Sequence, residues 1–355
     1  MNKLKIGVIG GGHIVVHRHL PVYKKLANVE VSAICDKQES LAKNVAERFG
    51  VRNCYTDLSV MLKKESLDVV DVCTPPQTHL PLAIEAIEAG CHVLAEKPLA
   101  MKVGDVDLLY KMASKNSVKL CVVHQNLFNP AVRRAKQLLD SGVLGEIVSA
   151  NVGTFVRRDN YMCLNGKHWC HTLPGGIFFE ILPHPVYLLQ LFTRQIEPSC
   201  VVAQKLSDFA WMKADELKVL TKSEKCIGSI VASCNSPFHG DTLDLVGTKM
   251  GLQVDLWGRS VIKLKPRTED PVSVGKNNLY LASQFLGLLG TNFSNMSTAV
   301  FRGVKVSAHY HFLSEFVNAI LDDAPPPVLQ EEARENVRLV ENICNQIDGY
   351  NCNRK

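Results

Sequence analysis

Lys5-Ile6-Gly7-Val8-Ile9-Gly10-Gly11-Gly12 decides the fold. The first five residues are mostly apolar and read as a buried strand, which runs straight into three glycines. Behind the glycines, Ile14, His17, Leu20 and Tyr23 recur at helical spacing as far as about Ala27. Strand, glycine turn and helix in that order let the backbone at Gly10 and Gly12 turn tightly and approach a pyrophosphate, whose charge a helix N-terminus stabilises. Val15 stands at the third position of the G-x-G-x-x-G pattern, where Gly or Ala would allow the closest helix–strand packing. A second strand, Glu30-Val31-Ser32-Ala33-Ile34-Cys35, ends at Asp36. At that distance downstream a carboxylate accepts hydrogen bonds from an adenosine ribose and repels a 2′-phosphate, so NAD is expected ahead of NADP. Asp36 also fits the N-cap of the helix that starts near Gln38, and one side chain can serve both purposes.

The alternation continues outward from this unit. Helices are expected at about 40–49, 60–64, up to 89, and 103–114, with strands near 53–55, 69–73, 91–95 and 119–123. Strands alternating with helices at this spacing predict a doubly wound parallel sheet over residues 1–123. Two loops leave the carboxyl ends of its strands, where ligands bind in such sheets. One is Thr74-Pro75-Pro76-Gln77-Thr78-His79, stiffened by its prolines. The other is Glu96-Lys97-Pro98, in which Pro98 restricts Lys97 to an extended conformation. A lysine whose pKa is lowered by burial and by nearby cations transfers protons at neutral pH; the alternative is a solvated lysine paired with Glu96.

After His124-Gln125-Asn126 the period changes. Following a helix at about 131–139, strands of alternating polarity are expected at 147–157, 199–205, 216–221, 226–234, 242–247 and 252–256, then helices at about 311–321 and 331–347. Residues 124–355 therefore read as an α+β domain on a largely antiparallel open sheet. Asp270–Gly290 reads as a loop with a short helix.

Size and composition bound the rest. A chain of 355 residues accommodates two domains with proper cores. A net charge of +5, with no basic cluster interleaved with aromatics, argues against nucleic acid as a partner. No apolar stretch approaches membrane-span length, and Met1-Asn2-Lys3-Leu4-Lys5 leads at once into a strand rather than a signal peptide. Twelve cysteines without a C-x-x-C pair fit reduced, mostly buried thiols, so a cytoplasmic protein is expected.

A second cluster runs from Lys167 to His184. If the chain after Gly176 is helical, Glu180 and His184 lie one turn apart on one face, a carboxylate beside an imidazole, as proton transfer requires. The alternative is an interior Glu–His pair satisfying itself. His168-x-Cys170-His171 is not a familiar ligand spacing, and no metal is expected. Trp169 reads as a wall of a cleft or as packing.

With these motifs in this order, the chain resembles the Gfo/Idh/MocA oxidoreductases over nearly its whole length. The resemblance rests on Gly10-Gly11-Gly12 with Asp36, Thr74-Pro75-Pro76 with His79, Glu96-Lys97-Pro98, and Gly175-Gly176 followed by an acid and a His four residues later. It implies a nicotinamide cofactor lined by Gly10, Gly12, His13, Ile14, Asp36, Thr74, Pro75, His79, Glu96, Lys97 and Asn126. It implies that Lys97 and His184 handle a substrate hydroxyl proton, and that Glu180 stands where the family usually has Asp, with Trp169 and His171 near the substrate. The expected substrate is a sugar, cyclitol or related polyol, with a homodimer or homotetramer as the assembly. Two alternatives stay open: glycoside cleavage with tightly held NAD used transiently, and a non-catalytic NAD-binding regulator.

Overall fold

The computed structural model describes residues 3–193, 195–266, 269–302 and 307–352. The chain forms two compact units, one running to Gln125 and including His309–Arg338, the other comprising Asn126–Ala308 and the chain from Leu339.

The first unit is built on β1 (Leu4–Ile9), β2 (Val29–Cys35), β3 (Asn53–Tyr55), β4 (Val69–Val72), β5 (His92–Ala95) and β6 (Leu120–Val122). Helices α1 (Leu20–Tyr23), α2 (Glu39–Phe49), α3 (Leu58–Lys64), α4 (His79–Glu88) and α5 (Val103–Lys115) connect them. All six strands are parallel, in the order β3-β2-β1-β4-β5-β6. Ile6, Val8, Val69, Val70, Val93 and Leu94 are buried, because a parallel sheet is covered on both faces and its strands carry continuous apolar runs. The order reverses between β1 and β4, and the carboxyl ends of those strands therefore flank the crevice where such sheets take ligands.

The second unit contains α6 (Pro130–Asp140), β7 (Ile147–Arg157), α7 (Tyr161–Leu164), α8 (Ile177–Ile181) and α9 (Pro183–Thr193). Strands β8 (Glu197–Gln204), β9 (Glu216–Lys222), β10 (Ile227–Ser236), β11 (Gly240–Gly247), β12 (Gly251–Asp255) and β13 (Ser260–Leu264) follow, then α10 (Pro271–Arg302). The sheet order is β13-β12-β11-β7-β10-β9-β8, antiparallel at every pairing except β7–β10. Helix α9 packs on β7 and β10, and α6 on β12 and β13. They cover a face lined by Ala150, Val152, Val219, Ile230, Ala232 and Leu243. The opposite face carries Leu220, Ile227 and Val246 in the open.

Helices α11 (Ala308–Leu321) and α12 (Gln330–Cys352) close the chain. Besides the segment expected to end at residue 123, the first unit takes in α11 from His309 and the first turns of α12. Ion pairs tie this return to it: Arg334 Nε lies 2.8 Å from Asp107 Oδ1, and Lys119 Nζ 2.8 Å from Asp323 Oδ1.

One expectation is corrected. Asp270–Gly290 is not a loop with a short helix; it lies almost wholly within α10, a helix of 32 residues. None of residues 271–289 is buried, so no core-facing period marks the helix in sequence. It runs beside the edge strand β13, where Gln284 accepts the Lys263 N–H at 2.8 Å and donates to the Lys263 carbonyl at 3.0 Å. The chain after Gly176 is helical, with one interruption at Leu182 between Glu180 and His184. Glu180 lies on α8 and His184 on α9, because Pro183 lacks an N–H to continue the ladder.

Candidate active site

The glycine turn packs tightly on one side and is open on the other. Gly10 has φ +97°, and a Cβ there would lie 2.6 Å from the Cys73 carbonyl oxygen at the end of β4. Gly11 N–H donates to Asp36 Oδ2 at 2.7 Å, and Gln38 N–H to Asp36 Oδ1 at 2.8 Å, so Asp36 clamps the turn while standing at the end of β2. Gly12 and His13 are exposed, Ile14 is half-buried, and nothing lies within 4 Å of a Cβ placed on Gly12. The His13 ring centroid is 4.3 Å from that of His17; partial burial and then the neighbouring His17 and Arg18 lower its pKa. Val15 is buried and opens a π turn over Val15–His19. An open turn at a helix start, with a carboxylate at the end of the neighbouring strand, fits a dinucleotide: Gly10–Ile14 would hold the pyrophosphate and Asp36 the ribose.

Two further loops border the same edge of the sheet. Thr74 and Pro75 follow β4, and the Thr78 hydroxyl donates to the Thr74 hydroxyl at 2.7 Å. His79 is wholly buried, with Nε2 2.7 Å from the Thr74 carbonyl and Nδ1 2.9 Å from the Pro98 carbonyl. It braces the β4 loop against the β5 loop from inside, and burial lowers its pKa.

Glu96, Lys97 and Pro98 follow β5, with a cis Lys97–Pro98 bond. Lys97 is half-buried at the carboxyl end of the strand, and its N–H donates to Glu96 Oε2 at 3.1 Å. Glu96 Oε1 lies 3.0 Å from His19 Nε2, while His19 Nδ1 lies 2.7 Å from Asp71 Oδ2. The Tyr23 hydroxyl donates to the same Asp71 oxygen at 2.8 Å, and the Cys73 thiol to Asp71 Oδ1 at 3.3 Å. Sequence reading missed this group. Its legible signal was Asp71, a charge inside the buried run Val69-Val70-Asp71-Val72, which demands a partner.

Burial pushes the Glu96 carboxyl up, but the His19 hydrogen bond and charge, followed by Lys97, outweigh it and hold the group at about 2. A carboxyl lowered on folding stabilises the protein above its ordinary value, 4.5, and that contribution disappears as pH falls towards about 2. Glu96→Gln is expected to cost roughly 3 kcal/mol at neutral pH. Urea midpoints measured for both proteins across the acid range should converge as pH drops; a constant gap would refute the assignment.

The other cluster lies in the second unit. Gly175 and Gly176, at φ +65° and +64°, turn the chain into α8 through a backbone that only glycine adopts readily. In the stretch from Ile177 to Leu189, Glu180 and His184 are the two residues that are not buried. His184 Nδ1 is 2.9 Å from the Tyr187 hydroxyl, which also accepts the Asn126 N–H at 3.2 Å. Tyr187 thus orients the imidazole, a role sequence reading did not assign. Trp169 is half-buried with its ring 5.0 Å from that of His168. His171 is buried with Nε2 2.8 Å from the Met162 carbonyl, and His168 Nδ1 accepts the Cys170 N–H at 3.3 Å, so both rings serve the local backbone. Among the described residues, the group with metal-compatible spacing is instead His19, Asp71 and Cys73. The eleven described cysteine side chains are free thiols. No helix among the described residues is long and apolar enough to cross a membrane.

Comparison with known proteins agrees with this architecture. The family model for Gfo/Idh/MocA oxidoreductases with an NAD-binding Rossmann fold matches residues 4–124, and the Gfo/Idh/MocA C-terminal domain matches residues 132–253. Oxidoreductase P35 of Formosa agariphila is 28% identical over 201 residues, 55% of this chain and 62% of that protein. D-glucoside 3-dehydrogenase of Escherichia coli is 33% identical over 146 residues, 41% of this chain and 42% of that protein. The match thus spans about half the length of these curated relatives. Among solved structures, the WlbA dehydrogenase of Bordetella pertussis, in complex with NADH and UDP-GlcNAcA, superposes with a TM-score of 0.79. It is 22% identical, and the match covers 98% of this chain and 96% of that one, so the likeness is one of fold.

Proposed function

The chain belongs to the Gfo/Idh/MocA oxidoreductase family, and on that premise we propose that it exchanges a hydride between NAD and a secondary alcohol carbon of a sugar, cyclitol or related polyol. The observation that carries this reading is Lys97, an amine at the carboxyl end of β5 beside the ion-paired Glu96. It stands on the sheet edge that also bears the Gly10–Gly12 turn and Asp36. The nicotinamide supplies the hydride chemistry. When the alcohol is oxidised, its carbon loses a hydride and its oxygen a proton; Lys97 Nζ accepts that proton and returns it in the reverse direction. His184, oriented by Tyr187, relays the proton, and Glu180 binds a substrate hydroxyl. Trp169 and His171 border the substrate. The exposed face of the second sheet, with Leu220, Ile227 and Val246, is where a second copy of the chain would pair.

The test is a panel of sugars, glycosides and inositols with NAD, followed by NADH absorbance. Net NADH formation supports the proposal. Glycosidic cleavage without added NAD would point to transient oxidation. No turnover of any alcohol, with NAD changing the affinity for a protein, would point to a regulator.

Cofactor choice gives a separate check. Asp36→Ser removes the charge that repels a 2′-phosphate, together with the acceptor for the Gly11 N–H. KM for NAD should rise roughly tenfold or more while NADP gains, as expected for the loss of a charge-assisted hydrogen bond. Unchanged NAD/NADP preference in steady-state kinetics would remove Asp36 from the ribose site.

A further inference from the structure

We propose that His19 is a positioning residue of the Lys97 site: a buried imidazolium, held between Asp71 and Glu96, that fixes Glu96 and through it the charge balance and backbone at Lys97. The inference rests on the reading of Lys97 as the acid–base group. Counting donors and acceptors leads to it. An ionised carboxylate only accepts hydrogen bonds, and neutral imidazole carries one N–H. His19 presents Nδ1 to Asp71 Oδ2 at 2.7 Å and Nε2 to Glu96 Oε1 at 3.0 Å, with the ring fully buried. A neutral ring would set one bare nitrogen against a buried carboxylate oxygen, which is costly. Both Asp71 oxygens already act as acceptors, Oδ2 from the Tyr23 hydroxyl and Oδ1 from the Cys73 thiol, so Asp71 presents an acceptor to the ring as well. Both ring nitrogens of His19 therefore carry protons.

The groups facing this ring agree. One turn on from His19 is Tyr23; β4 and its end contribute Asp71 and Cys73; the β5 loop contributes Glu96, with Lys97 beside it. His309, at the start of α11, has its ring 6.2 Å away. Burial holds His309 at about 3, and likewise His124, so both are neutral and add no cation. Burial also pushes the Cys73 thiol up, so it adds no anion. Burial lowers the His19 value, but the Asp71 charge and hydrogen bond outweigh this and raise it. The His19 imidazolium then stands between the Asp71 and Glu96 carboxylates, with Lys97 beside Glu96, so the charge at each of these positions is felt at the others.

That coupling gives a test with a sign. His19→Gln removes a cation and should raise the pKa of Lys97; Asp71→Asn removes an anion and should lower it. Each shift is expected to be about one pH unit. The double variant should return Lys97 towards its original value. The readout is the pH dependence of Lys97 modification by a limiting amine reagent, followed by peptide mass spectrometry, which needs no substrate. With the true substrate, either single variant should lose about 100-fold in kcat, the double variant less, while NADH affinity changes by less than about threefold. Lys97 profiles that stay put, or that move in one direction in both single variants, would overturn the proposal. Should the variants not fold, 15N NMR of the His19 ring in the unaltered protein decides: two protonated nitrogens at neutral pH support it, and one bare nitrogen overturns it. Stoichiometric transition metal on His19, Asp71 and Cys73 would overturn it as well. If no alcohol is turned over but the opposite shifts are seen, the dehydrogenase reading fails and this one stands.

Discussion

Lys97→Met is expected to leave NADH binding intact and to reduce turnover about 1,000-fold or more, the upper part of what one proton-transferring group supplies. Methionine keeps the apolar stem that a half-buried position accommodates, and the backbone N–H that donates to Glu96 Oε2 is unaffected. Glu96 retains His19, so the buried carboxylate is still paired. The substitution therefore removes the amine with little other disturbance. Single-turnover rates together with NADH titration separate the two effects. If a substrate is found and the variant turns it over at the original rate, Lys97 is not the acid–base group.

Gly10→Ala is expected to damage both stability and cofactor binding. The new methyl group would lie 2.6 Å from the Cys73 carbonyl oxygen, 2.9 Å from its carbon and 3.3 Å from Thr74 Cγ2, at a φ of +97°. Backbone on both sides of the clash belongs to strand ends and cannot yield cheaply, so a loss of about 3 kcal/mol or more is expected. Displacing the turn should also weaken NADH binding by about 100-fold. Gly12→Ala separates these consequences. Its methyl would point into open space, so stability should change by less than about 1 kcal/mol while NADH affinity still falls, because that space is the proposed cofactor cradle. Unfolding midpoints and NADH titrations of both variants make the comparison; equal stability losses would refute it.

Much of this site is written in local patterns. Gly10 and Asp36 stand at strand ends whose apolar runs mark the strands, and the turn itself calls for residues without a side chain. Glu96-Lys97-Pro98 is legible for the same reason. The π turn over Val15–His19 and the break between α8 and α9 are different. Each lies just before a proline, Pro21 or Pro183, whose effect depends on how the surrounding chain packs. Helix α10 escaped notice because the usual signal is a buried stripe, and residues 271–289 have none.

The amino-acid sequence by itself determined the two sheets, the glycine turn, the acidic end of β2 and the place of Lys97, since each depends on the conformational preference or burial of consecutive residues. Tertiary structure decided which charges meet. His19 reaches Asp71 across 52 positions and Glu96 across 77, and Arg334 reaches Asp107 across 227. No period or spacing encodes such contacts. The His19 contacts exist because folding buries the groups, and a buried charge is tolerated only when it is paired with one of opposite sign; the Arg334–Asp107 pair, half-exposed, exists because the returning chain packs beside α5.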